Sequence, residues 1–137
     1  TAQNKPLTPI STGRATAPGG HYSQAMVFQN LIFVSGQLGF ALGSSQALVG
    51  SVEEQTQHCL DNLKQILLAA DSDLNHVIKT TIYISNVAYW PRVNQVYAEV
   101  FGEHKPARAI VPCNPLHHGF DVEIEAIATQ SKNINED

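Results

Sequence analysis

The sequence predicts an α+β fold: one mixed β-sheet with two helices packed on one face. Three observations carry that expectation. β-Branched or alternating runs recur at Tyr22–Phe28, Leu31–Gly36, Val77–Ser85, Ala107–Val111 and Val122–Ala128. Two stretches between them repeat their apolar residues with helical period. Strands divided by crossover helices form a sheet of mixed direction, with both helices on the same side. The other sheet face is then left without cover from this chain, and packing against further copies would supply it.

The first fifteen residues lack a hydrophobic period and carry Pro6 and Pro9, so residues 1–15 read as a flexible or docked tail. One domain is expected over residues 16–130, followed by a polar C-terminal tail over 131–137. Gln29-Asn30 separates the first two strands as a tight hairpin, with Asn30 suited to positive φ. Leu38 to Gly50 is rich in Gly, Ser and Gln and reads as a loop with room for one short strand.

Ser51-Val-Glu-Glu54 opens the first helix as a capping box, because Ser and Glu three apart can each satisfy the other's backbone N–H. Leu60, Leu63, Leu67 and Ala70 follow as its apolar stripe, flanked by Cys59 and Ile66. In the next strand Ile78, Thr80, Ile82 and Ile84 share a face by alternation. Asn86 is placed to cap the second helix, and Pro91 falls in its first turn. Val93, Val96, Tyr97, Val100 and Phe101 give that helix its buried side, and Gly102 stops it.

Composition narrows the function classes. The 137 residues include 8 basic and 12 acidic ones, net −4, and the basic residues are scattered singly. A surface that tracks nucleic-acid phosphates needs clustered Lys and Arg, so nucleic acid is not an expected partner. No apolar run approaches the roughly 18 residues of a membrane span, and no signal-peptide core is present. Cys59 and Cys113 read as reduced, packed thiols in a cytosol-like compartment. An organellar location stays open should an upstream targeting segment have been removed.

Several side chains could carry chemistry. Arg108 interrupts an apolar strand, where a buried guanidinium must meet either a protein carboxylate or an anionic ligand. Glu123 lies in the last strand, opposite in parity to Val122 and Ile124. Ser35-Gly36 ends the second strand, where glycine lets backbone come close to a small ligand or merely begins the loop. Tyr22 reads as a strand-edge aromatic, Asn94 as a flanking helix residue, and His117-His118-Gly119 as a turn. Cys113 with His117 and His118 lacks zinc-like spacing, so no metal is expected. No phosphate loop, dinucleotide fingerprint or nucleophile elbow occurs.

In order along the chain, Gly20-His-Tyr22-Ser-Gln-Ala, Val34-Ser-Gly-Gln37, Gln55…Asn62-Leu63, Lys79-Thr-Thr81, Asn94…Tyr97…Phe101, Pro106-Ala-Arg108 and Val122-Glu-Ile-Glu-Ala-Ile-Ala128 resemble the RidA/YjgF family of reactive-intermediate deaminases. The resemblance runs from about Gly19 to Ala128. It implies a chorismate-mutase-like fold assembled as a homotrimer around a central barrel of sheets, with ligand clefts between subunits. It also implies cofactor-independent hydrolysis of 2-imino acids and their enamine tautomers to 2-oxo acids and ammonia. Arg108 matches the family arginine that clamps the substrate carboxylate, and Glu123 the carboxylate that positions water. Tyr22, Ser35, Gly36 and Asn94 match positions lining the same cleft. The alternative is a non-catalytic trimer that binds a small carboxylate or offers a regulatory, chaperone-like surface. Two departures bear on substrate choice. Ala109-Ile110 follows the arginine where many members carry a serine or cysteine, so Ile110 would offer only backbone polar groups and reshape the pocket. Pro112–Gly119 also differs from the usual connection.

Overall fold

The structure is a computed structural model that describes residues 6–131. Residues 1–5 and 132–137 of the two expected tails lie outside the described residues. Six strands form a single sheet in the order β1-β2-β3-β6-β4-β5. They are β1 (Thr8–Ile10), β2 (Ala25–Phe28), β3 (Leu31–Leu38), β4 (Val77–Ile84), β5 (Ala107–Pro112) and β6 (Val122–Thr129). Only β4 and β5 are parallel; the other neighbours run antiparallel. The helices α1 (Val52–Ala69) and α2 (Trp90–Phe101) supply the crossovers.

Both helices pack on one face, as the crossover argument requires. Ser51 caps α1 reciprocally with Glu54, each backbone N–H donating to the other's side chain at 3.1 Å. Cys59, Leu60, Leu63, Ile66 and Leu67 are fully or almost fully buried against Ile32, Val34, Ile82, Ile124 and Ala126 of the sheet. From α2, Val93, Tyr97 and Phe101 join this core. Gly102 follows with φ 63°, a conformation in which glycine avoids the Cβ clash. Cys59 and Cys113 are both free thiols, and burial pushes the Cys59 thiol well above its ordinary pKa. No helix among the described residues is long and apolar enough to cross a membrane.

Of the two alternatives for the tail, flexible or docked, Thr8–Ile10 is docked as an edge strand on β2, and Ala15 is buried. Three local expectations are corrected. The hairpin turn places Gln29, not Asn30, at positive φ (55°). A register shift between Val77 and Lys79 breaks the alternation of β4, so Val77 is buried and Ile78 is exposed while Thr80, Ile82 and Ile84 stay inside. Asn86 caps a short 3-10 turn (Val87–Tyr89) that leads into α2 rather than the helix itself.

The sheet face away from the helices carries the opposite parity. Phe28, Leu31, Phe33 and Val111 all remain exposed there. Glu123 and Glu125 project from that same side of β6, since Val122, Ile124, Ala126 and Ala128 face the core.

Candidate functional site

The chain places the candidate residues in two separate groups. The first lines a cleft of about 710 Å³ at the end of β3 and the start of β6. Its walls include Tyr22, Ser35, Gly36, Phe40, His117, His118 and Glu123.

Glu123 enters this cleft because β3 is bulged. Val34 pairs with Ala126 and Gln37 with Ile124, so Ser35 and Gly36 together oppose one residue of β6. Gly36 brings its backbone against the carboxylate: a Cβ there would overlap Glu123 Oε2 and stand 2.9 Å from Cδ. A side chain at this position would push the flexible end of Glu123 aside, and because Gly36 lies within β3 the loop-only alternative does not hold. Ser35 is fixed by donating its hydroxyl to Ser23 O at 2.6 Å and its N–H to Gln24 O at 3.0 Å. Tyr22 closes a small turn, its hydroxyl accepting from Gly19 N at 3.2 Å.

Burial raises the Glu123 carboxyl above its ordinary pKa; nearby His117 opposes that rise in part, and Glu125 adds to it. A half-buried carboxylate beside exposed backbone can accept a hydrogen bond from water and aim that water at a neighbouring electrophile.

Three further residues hold the cleft wall in place, and sequence reasoning gave them no individual role. Gln24 accepts from Thr12 N at 2.7 Å and donates to Thr16 O at 3.0 Å. Asn62, fully buried on α1, accepts from Thr16 N at 2.8 Å and donates to Phe40 O at 2.9 Å. Gln55 accepts from Asp121 N at 2.7 Å and donates to Gly50 O at 2.9 Å, fixing the entry to β6. Buried amides in a mostly apolar helix stripe were the available signal, because such groups persist only when hydrogen-bonded.

The second group stands on the helix face at the outer edge of the sheet. Arg108 is exposed, which corrects the expectation of a guanidinium in the interior: β5 is an edge strand with only Ile110 partly buried. Arg108 Nη1 donates to Asn94 Oδ1 at 2.9 Å. The guanidinium carbon lies 4.8 Å from the centre of the Tyr97 ring. Tyr97 is held in turn by a 2.7 Å bond between its hydroxyl and Thr80 Oγ1, and by stacking on Phe101 at 4.6 Å. A cation over an aromatic face gains about 0.5–1 kcal/mol at an exposed site. One guanidinium edge is thereby fixed while its other donors stay free for a planar anion such as a carboxylate. Ile110 follows two residues later on the same face, in register with Ile82.

Arg108 and Glu123 do not meet in one chain. Arg108 aligns with Thr80 of β4 and Glu123 with Tyr83, three residues further along and one strand further across. At ~3.3 Å per residue and ~4.8 Å per strand, their backbones lie roughly 14 Å apart. Their side chains leave opposite faces of the sheet. Glu123 is therefore not the protein carboxylate that Arg108 could have met within one chain, and among the described residues Asn94 stands apart from the cleft that Tyr22, Ser35 and Gly36 line.

A family profile described as Endoribonuclease L-PSP matches residues 12–130. The chain is 41% identical over 121 residues to the rat 2-iminobutanoate/2-iminopropanoate deaminase, covering 88% of each. It is 42% identical over 119 residues to a RutC family protein of Pyrococcus horikoshii, covering 87% of this chain and 94% of that one. Its fold superposes on the crystal structure of E. coli TdcF with bound serine at a TM-score of 0.84 and 31% identity, covering 90% of this chain and 99% of that one. The chain belongs to the RidA/YjgF family.

Proposed function

We propose that this chain hydrolyses 2-imino acids and their enamine tautomers to 2-oxo acids and ammonia without a cofactor. It does so as a homotrimer whose sheets pack into a central barrel. The observation that carries this reading is the division of the site: a free arginine edge and a water-aiming carboxylate stand on opposite faces of one chain. Each half is incomplete alone, and a neighbouring copy would bring Arg108 to the cleft that holds Glu123. The exposed Phe28, Leu31, Phe33 and Val111 on the helix-free face support such packing. Deaminase activity in a relative 41% identical supports the same chemistry.

In this mechanism Arg108 grips the substrate carboxylate through two of its uncommitted donors, while Asn94 and the Tyr97 ring set its plane. Glu123 then accepts a proton from water as the oxygen attacks the protonated imine carbon. That carbon is already electrophilic, so orientation of water and substrate supplies most of what the reaction needs. RNA cleavage, which the family description names, is disfavoured by the net charge of −4 and the singly scattered basic residues.

The test generates 2-iminobutyrate from threonine with a dehydratase and follows imine loss with and without the protein. The protein is expected to accelerate the loss, and Arg108→Ala to slow it by two orders of magnitude or more while the assembly persists. Unchanged turnover in Arg108→Ala would sink the assignment. The serine bound to TdcF favours a second reading, a non-catalytic carboxylate binder. Tight binding of 2-oxobutyrate with no acceleration of imine loss would establish that one instead.

A further inference from the structure

The turn between β5 and β6 places two histidines against the carboxylate cleft, and the hydrolytic reading above has not used them. His117 and His118 both line the cleft with Glu123. The turn is closely specified: Gly119 N donates to Leu116 O at 3.3 Å, and Phe120 N to His117 O at 3.2 Å. His118 and Gly119 occupy successive left-handed conformations, with φ of 62° and 81°. Histidine tolerates that region better than most side chains, and glycine tolerates it freely. Phe120 is fully buried edge-on to Phe40 at 4.9 Å, which anchors the turn. His118 also rests edge-on to Phe40, at 5.6 Å.

His117 differs from the histidines that serve structure. His58, His76 and His104 each commit a ring nitrogen, to Gly39 O, Asp73 Oδ1 and Val77 O respectively. Among the described residues no protein group hydrogen-bonds the His117 ring, and the side chain is exposed to the cleft. The other titratable groups around Glu123 are Glu125 on the same face of β6, Tyr83 across on β4, His118 in the turn and Tyr22 in the segment before β2.

We infer that His117 is the proton carrier that works with Glu123 in this cleft. The inference rests on the hydrolytic reading and assigns the second half of its proton traffic. Water bonds through oxygen to the protonated imine carbon and gives one proton to Glu123, leaving a neutral carbinolamine. Glu123 returns that proton to the amine nitrogen. The C–N bond then breaks, ammonia departs, and the hydroxyl oxygen becomes the carbonyl of the 2-oxo acid. The proton released from that hydroxyl passes to a free ring nitrogen of His117, which hands it to ammonia or solvent. An imidazole suits this step because its ordinary charge change falls near neutral pH. The effect of His117 on the Glu123 carboxyl is consistent with the two groups sharing one electrostatic environment.

The experiment compares wild-type protein with His117→Gln, a neutral side chain of similar size that cannot exchange protons as a base. Imine loss by His117→Gln is expected to fall in kcat by about 10²-fold with KM little changed. Added free imidazole, at constant ionic strength and corrected for the protein-free rate, should restore activity in proportion to its concentration. His76→Gln, outside the cleft, should match wild type and should not respond to imidazole. A His117→Gln enzyme as fast as wild type would overturn the inference and leave the proposed function intact. A slow variant that imidazole does not rescue would also overturn it, reducing His117 to a structural role. A wild-type protein without imine hydrolysis would overturn both readings.

Discussion

Mixing two inactive variants, Arg108→Ala and Glu123→Gln, is expected to restore about a quarter of wild-type activity. The reasoning follows from the opposite faces on which the two side chains stand. If each site takes Arg108 from one copy and Glu123 from the next, a random mixture supplies an intact arginine half the time. It supplies an intact glutamate half the time as well, so about one site in four is whole in any closed ring. Neither variant alone contains a single whole site. Loss of one partner of a desolvated charge contact costs ~2–5 kcal/mol, a rate loss of roughly 30-fold to several thousand-fold. A quarter of the sites therefore stands well above either background. The assay co-refolds the two variants in equal amounts from denaturant and measures imine hydrolysis against refolded wild type. Activity no higher than that of the separate variants, with mixed assemblies confirmed by mass, would refute the composite site.

Three other perturbations test different parts of the account. Gly36→Ala should displace the Glu123 carboxylate and lower kcat by about 10²-fold, with the far-ultraviolet circular dichroism spectrum unchanged. Replacing His117 removes a group that opposes the effect of burial on Glu123, so the carboxyl should titrate higher. The acidic limb of kcat/KM in His117→Gln should accordingly move to higher pH, and a downward move would contradict the electrostatics. Leu63→Ala removes a fully buried side chain from the α1–sheet interface and should cost about 2–5 kcal/mol in denaturant unfolding.

Much of the architecture was legible because local and global signals agreed. The capping box at Ser51 and the Leu60–Leu67 stripe specify α1 from either level. Parity in β6 likewise separated Glu123 from the core residues Val122 and Ile124. What escaped were features set by pairing partners rather than by the segment itself. Thr8–Ile10 is only three residues long with Pro9 at its centre, and it forms a strand because β2 offers an edge. The bulges at Ser35–Gly36 and near Ile78 insert a residue relative to the neighbouring strand, and strict alternation cannot register that. The candidate site escaped in a similar way. Arg108, Asn94, Ser35 and Glu123 were all identifiable as residue types worth attention. Their distribution over two faces depends on the strand order β3-β6-β4-β5, which crossover rules leave underdetermined. For His117 a turn role stood ahead of a place at the cleft rim, because the direction of that turn is fixed by the burial of Phe120, which the local sequence does not specify.

The carboxamide of Asn62 has a consequence for the timescale on which the cleft changes shape. It joins Thr16, Phe40 and Gly43, three separate points of the chain, to the middle of the core helix. The amide protons of Thr16 and Gly43 should consequently exchange with deuterium at the slow rate of α1 opening, although neither residue lies in a helix or strand. The rim beside Phe40 is then part of the same cooperative unit as the interior. The lip of the cleft should therefore open only when α1 opens, on the timescale of the interior.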